Sequence, residues 1–198
     1  GVRSIDWSTH LDVHSTLAVD CQTLRSKITH SHYAALKVKD AIVDQFRARE
    51  SSRPSVDLRR PDLRINARIS GTQATISIDL SGESLHRRGY RKDGSEAPLK
   101  ENLAAAILLR AGWSDIAANG GSLFDPLCGS GTLVIEAALI AGDSAPGLTR
   151  AHFGFIKWKQ HQPHIWQRQL EAARVRRREG MQLLPVLMGC DSDEQAVQ

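Results

Sequence analysis

Hydrophobic and polar positions alternate twice in close succession along this chain. In "LRINARI", Leu63, Ile65, Ala67 and Ile69 fall on one face and Arg64, Asn66 and Arg68 on the other. After "SGTQ" the alternation returns in "ATISIDL", with Ile76, Ile78 and Leu80 set against Thr75, Ser77 and Asp79. A two-residue period repeated across a short Gly-containing loop predicts a β-hairpin with one buried and one wet face. Upstream the period lengthens. In "SHYAALKVKDAIVDQFRARE", Ala35, Val38, Ile42 and Phe46 share one helical face, with Ser31 placed to cap the helix. "TLAVD" (Thr16 to Asp20) suits a short strand, and Pro54 and Pro61 interrupt the stretch between helix and hairpin. Residues 1–85 therefore predict a small α/β unit.

The pattern fades from Ser81 to Pro98 into Gly, Arg and other polar residues, and 86–98 reads as a linker. At Leu99 a new pattern starts. "LKENLAAAILLRAG" is a strong helix former ended by Gly112. A polar loop follows, then a strand from Ser122 to Phe124, a tight turn, and a helix from about Ser130 to Ala141. An aromatic and basic insertion (Pro146 to Pro163) leads to an Arg-rich helix (about Ile165 to Glu179) and an apolar strand (Leu184 to Asp191). Helix, strand, helix, helix, strand over 99–198 predicts the first part of an open, mostly parallel α/β sheet with helices packed on it.

Composition narrows this little. The 198 residues suffice for one large domain or two small ones, with ordinary apolar content and 24% charged residues. No apolar run approaches the ~20 residues of a membrane helix, and "GVRSIDWSTH" has neither the basic nor the apolar region of a signal peptide. Cys21, Cys128 and Cys190 form no CxxC pair and the eight histidines show no ligand spacing, so no metal is expected and the setting is read as reducing and cytoplasmic. Net charge is +4. Its distribution matters more: "LHRRGYRKDG" carries four cations in ten residues and "WQRQLEAARVRRREG" five arginines in fifteen. Trp158, His161 and Trp166 serve equally well to stack on bases or to pack the insertion.

The most chemically specific stretch is "SLFDPLCGSGTLVIEAALI" (Ser122 to Ile140). In doubly wound sheets ligands sit beyond the carboxyl ends of strands, where "DPLCGSGT" lies. Gly129 and Gly131 let the backbone turn tightly and approach a ligand, and the N–H groups opening the next helix face the same space. A P-loop requires GxxxxGK[ST], and no lysine follows Gly131; a dinucleotide fingerprint requires Gly or Ala where Val134 stands. A carboxylate before the glycines suits a cation better than a pyrophosphate. S-adenosylmethionine carries an ammonium, a carboxylate and a sulfonium and no phosphate: Asp125 would accept from the ammonium while the turn N–H groups meet the carboxylate. A second acid, after the next strand, would grip the ribose hydroxyls. "LMGCDSD" supplies Asp191, with Asp193 in reserve, though about sixty residues on rather than the ~20 of compact folds.

"FDPLCGSGTLVIEAALIA", with "SGESLHRRGYR" and "APLKENLAAAIL" before it and "APGLTRAHFGF" and "GCDSD" after it, resembles one methyltransferase family over nearly the whole chain. Its members join an RNA-binding THUMP domain to a Rossmann-like S-adenosylmethionine domain. The nearest group methylates guanine N2 in large-subunit (23S) ribosomal RNA, and its members have often been labelled adenine-specific DNA methylases. The resemblance implies that Asp125, Gly129, Ser130, Gly131 and Thr132, with Pro126 and Cys128 in the same turn, form the methionine end of the cofactor site, and that Asp191 binds the ribose. Cys128 reads as a small residue filling the turn, not a nucleophile. It implies that 1–85 is the later part of a THUMP-like domain, and 99–198 the first half of a methyltransferase domain. Arg87, Arg88, Arg91 and Lys92, lying between the two, are expected to contact RNA phosphates.

Methylation of an exocyclic amine calls for acceptors that hold the amine in line and an aromatic ring stacked on the base, usually as [DN]-P-P-[YFW]. None of the seven prolines sits in such a run. The expectation is a fragment with half a cofactor site, no catalytic motif and no turnover of its own. A DNA adenine-N6 methyltransferase is the rival enzyme, set against by the THUMP-like unit. A non-catalytic RNA-binding module is the rival from another class, and would bind RNA without cofactor affinity.

Overall fold

The computed structural model describes residues 1–90 and 99–193. The chain is α/β and divides into two units, Gly1–Glu83 with His152–Pro163, and Ser84–Ala151 with the residues from His164 onward.

In the first unit the elements are β1 (Thr16–Leu24), α1 (Ser31–Glu50), β2 (Ser55–Val56), β3 (Leu63–Ser70) and β4 (Gln73–Ile78). The sheet runs β2-β1-β3-β4, with β1 parallel to both β2 and β3, and β3–β4 the predicted antiparallel hairpin. Alternation decides its faces: Leu63, Ile65 and Ala67 are buried while Asn66 and Arg68 are exposed. One face of α1 (Ile42, Val43, Phe46) closes on Leu17, Leu63 and Ile65 of the sheet and on Trp7 and Leu11 before it. Each of these large side chains contributes roughly 1.5–3 kcal/mol by leaving water. Two local expectations change. Ser31 is the first helical residue and not the cap; His30 holds the cap position, without a side-chain cap bond. β1 continues four residues past Asp20, because polar Cys21–Leu24 pair with Ala67–Ser70 along the neighbouring strand.

His152–Pro163 packs onto this unit although it interrupts the second half of the sequence. Trp158 stacks on His10 with ring centroids 6.0 Å apart and donates its indole N–H to His10 Nδ1 at 3.1 Å. Lys159 donates its backbone N–H to His10 O and its Nζ to Ser8 O. Lys157 Nζ reaches Asp62 Oδ1 at 2.6 Å, and Asp62 Oδ2 also accepts the Thr16 N–H at 2.8 Å. The insertion's Trp158 is thus a packing residue.

The second unit contains α2 (Glu101–Arg110), α3 (Trp113–Ala118), β5 (Leu123–Asp125), α4 (Thr132–Ala141), all but the first residue of α5 (Pro163–Gly180), and β6 (Leu187–Gly189). β5 and β6 are parallel, with Leu123, Phe124 and Asp125 opposite Leu187, Met188 and Gly189. The polar loop expected after Gly112 contains α3, whose Trp113 and Ala117 are buried with Leu108 and Ala137 against Leu123, Ile140 and Leu187. The last strand is three residues, shorter than the predicted run from Leu184, because Met181–Leu183 forms a 3-10 turn and Pro185 follows. Residues of the expected linker are docked: Glu136 Oε1 on α4 accepts the Tyr90 hydroxyl at 2.9 Å and Arg88 Nε at 3.3 Å.

Candidate functional site

β5 ends at Asp125 and α4 begins at Thr132, leaving Pro126–Gly131 to reverse the chain. Gly129 and Gly131 have φ of +52° and +75°, where a side chain is strained. A Cβ on Gly129 would meet nothing within 4 Å, so the space over the turn is open. The Gly131 N–H closes the turn on Cys128 O at 2.8 Å, and Gly131 O accepts from Ile135 as the first carbonyl of α4. The first backbone N–H groups of α4 lack helical acceptors and carry the positive end of its dipole toward this space.

The second strand end is tied to the same turn. Cys190 donates its N–H to Asp125 O and Cys128 donates to Cys190 O, each at 2.9 Å. Asp191 then accepts the Gly129 N–H on Oδ2 at 2.7 Å and the Asp193 N–H on Oδ1 at 3.0 Å. The N–H groups of Asp193 and Gly129 hold the Asp191 carboxyl below its ordinary pKa. Asp193 therefore supports Asp191 through its backbone. Asp125 is half-buried and accepts the Leu127 N–H on Oδ1 at 3.1 Å. Ser130 is exposed on the turn and Thr132 is buried at the head of α4.

Cys128 packs inward. Burial raises its thiol pKa, and the Asp125 and Asp191 carboxylates raise it further, the opposite of what a nucleophilic thiolate needs. It fits because Gly189 has no side chain: a Cβ there would lie 2.9 Å from Cys128 Cβ and 3.1 Å from Val134 Cγ2. Sequence reasoning missed Gly189. The signal was a glycine two residues before the second acid, in an otherwise apolar strand.

The predicted cation cluster is divided. Arg87 is exposed. The Arg88 side chain is 12% exposed and paired with the buried Glu136, so its charge is directed inward. Arg91 and Lys92 lie outside the described residues. On α5, Arg174 pairs with Glu171 and Arg176 with Asp143. Among the described residues no group of three or more His, Cys, Asp and Glu side chains converges as metal ligands would, and no helix is long and apolar enough to cross a membrane.

Comparison with known proteins places this geometry. Residues 1–79 match the THUMP domain and residues 88–198 the RMKL-like methyltransferase domain. The chain is 61% identical over 196 residues to the ribosomal RNA large subunit methyltransferase K/L of Syntrophotalea carbinolica, covering 99% of this chain and 28% of that protein. It is 55% identical over 197 residues to the protein of the same name from Methylococcus capsulatus, covering 100% of this chain and 27% of that one. It thus spans about a quarter of the length of the curated relatives it matches. Among solved structures, SMU.472 complexed with SAH superposes with a TM-score of 0.76 at 30% identity, over 100% of this chain and 50% of that one. The second unit is Rossmann-like, and the chain belongs to the RMKL-like methyltransferase domain family, with a THUMP domain ahead of that domain.

Proposed function

We propose that this chain is the cofactor-holding part of an S-adenosylmethionine-dependent methyltransferase that acts on the exocyclic N2 amine of guanine in 23S ribosomal RNA. One observation carries the reading: two strand-end acids flank an open turn with two left-handed glycines, and both accept backbone N–H groups of that turn. Asp125 accepts from the cofactor's ammonium. The turn at Ser130 and the amino end of α4 face its carboxylate, in the field of the helix, while the Gly131 N–H stays bonded to Cys128 O. Gly129 and Gly131 leave room for the ligand, and Asp191, still ionised at neutral pH, accepts from the ribose hydroxyls. Pro126 and Cys128 shape the turn. When bound, the cofactor supplies an electrophilic methyl group. The residues that hold the guanine amine are assigned to no side chain of this chain.

The THUMP domain and the names of the relatives support ribosomal RNA as the substrate. Arg87, with Arg91 and Lys92, would contact phosphate and so position the RNA without reading its sequence. The test is nucleoside mass spectrometry on 23S ribosomal RNA from cells lacking the gene, and on that RNA after incubation with the full-length protein and S-adenosylmethionine. Loss and restoration of one N2-methylguanine is expected. Restoration of N6-methyladenine would transfer the reading to adenine. No change in either nucleoside would leave a binding module.

A further inference from the structure

We propose that Glu101 is a second carboxylate of the cofactor site, and that its Oε2 accepts from the ammonium at the methionine end; this rests on the cofactor reading above. Glu101 opens α2 and is 3% exposed. Among the described residues its Oε2 is buried without any hydrogen-bond partner. An acidic residue in a helix's first turn is ordinarily explained by the dipole and left in water. A carboxylate removed from water with one oxygen unpaired is not stabilised that way. It calls for a donor, and a cationic one serves best.

On this assignment α2 runs back toward the cofactor turn, and the anchoring of its carboxyl end supports that course. α4 starts at the turn and runs back along β5, so its far end lies by the start of β5. The far end of α2 is joined to the start of β5 through α3. Trp113 of α3 donates its indole N–H to Ala137 O at 2.9 Å, and Leu108, Trp113 and Ala117 share one cluster with Leu123. The carboxyl end of α2 is thereby placed at the start of β5. A helix of ten residues is about 15 Å long, and on this assignment its amino end stands beside the turn at the end of β5. Glu101, Ala104 and Leu108 form the buried stripe of α2, so Glu101 points the same way as the residues packed inside the unit. An ammonium has three N–H groups, enough for Glu101 and Asp125 together.

The experiment compares wild-type full-length protein with Glu101→Gln, titrated calorimetrically with S-adenosylhomocysteine and with 5′-methylthioadenosine, which lacks the amino acid end. Thermal unfolding is followed with and without ligand. The expected result is an affinity for S-adenosylhomocysteine lowered about tenfold or more, unchanged affinity for 5′-methylthioadenosine, and a ligand-free melting temperature equal to or above wild type, since a buried carboxylate oxygen without a partner has been replaced. Wild-type binding of both ligands by the variant, equal loss of both, or a lowered ligand-free melting temperature each overturns the assignment. Failure of the wild-type protein itself to bind S-adenosylhomocysteine overturns the cofactor reading as well, and so separates the two.

Discussion

Asp191 Oδ2 lies 2.7 Å from the backbone nitrogen of Gly129, which is 62 residues away in sequence. The carboxylate proposed to grip the ribose therefore also fixes the turn proposed to hold the other end of the same ligand. Replacing it with alanine removes both at once.

For Asp191→Ala we expect affinity for S-adenosylhomocysteine to fall at least about tenfold, with Asp191→Asn intermediate because it keeps one acceptor oxygen. Calorimetric titration measures this. The folded pKa of Asp191 is depressed, so its contribution is complete above the unfolded value of about 3.9 and is lost only as pH falls through the lower folded value. Cofactor affinity should thus be flat from about pH 5 to 8 as far as Asp191 is concerned. A loss of affinity near pH 6 would mean that another group controls the turn.

Gly189→Ala drives a methyl group against Cys128 and Val134. We expect a loss of about 1–3 kcal/mol in urea unfolding, together with weakened ligand binding, because the displaced Cys128 belongs to the turn.

Glu136→Ala removes the carboxylate that pairs with Arg88 and accepts the Tyr90 hydroxyl. Loss of one member of a buried pair costs about 3–5 kcal/mol. The double variant Arg88→Met with Glu136→Leu should recover much of that loss in the same unfolding measurement. Were Arg88 mainly an RNA contact, Arg88→Met alone would weaken RNA binding and leave stability unchanged.

Trp158→Ala removes the ring stacked on His10. A loss of about 2 kcal/mol is expected, with protease cleavage appearing within 152–163 before the sheet of the first unit is attacked. Cleavage elsewhere first would show that Trp158 does not hold the segment.

Burial works to raise the Asp62 pKa, but the bonds from Lys157 and from Thr16 outweigh it and lower it. The bond to Asp62 raises the pKa of Lys157. The depressed acid contributes above about pH 3.9 and fades as pH falls through its folded value; the raised base contributes below about pH 10.4 and fades as pH rises through its own. With Lys157 63% exposed, the pair is worth only about 0.5–1 kcal/mol. Asp62→Asn should therefore shrink the gap between urea midpoints at pH 7 and pH 3.

Features that repeat or punctuate locally are legible in the amino-acid sequence. The alternations from Leu63 to Ile69 and from Thr75 to Ile78 form the observed hairpin, whose second strand ends before Asp79 and the exposed Leu80, and "DPLCGSGT" is the observed turn between strand and helix. What escapes such reading depends on partners remote in sequence. The polar second half of β1 is a strand only because β3 lies beside it. The six residues of α3 are too few to show a period and are held by Trp113 against α4. Arg88 has the look of a solvent-facing cation until Glu136, a polar residue in an apolar helix, is seen to face it. Glu101 sits inside a strong helix pattern, where nothing local distinguishes it from a dipole-matching residue.

His152–Pro163 has a consequence for how such a protein can be divided or exchanged. The family model for the methyltransferase domain runs unbroken through residues 88–198, yet twelve of those residues fold with the THUMP side of the chain. The backbone passes from one unit to the other after Glu83, returns at His152, and leaves again after Pro163. No single cut releases the first unit whole. A gene fusion or recombination event at the boundary near Glu83 would carry off His10 and Asp62 while leaving Trp158 and Lys157 in the other partner. A chimaera is therefore expected to fold well only if this short internal segment is taken from the same parent as the amino-terminal domain.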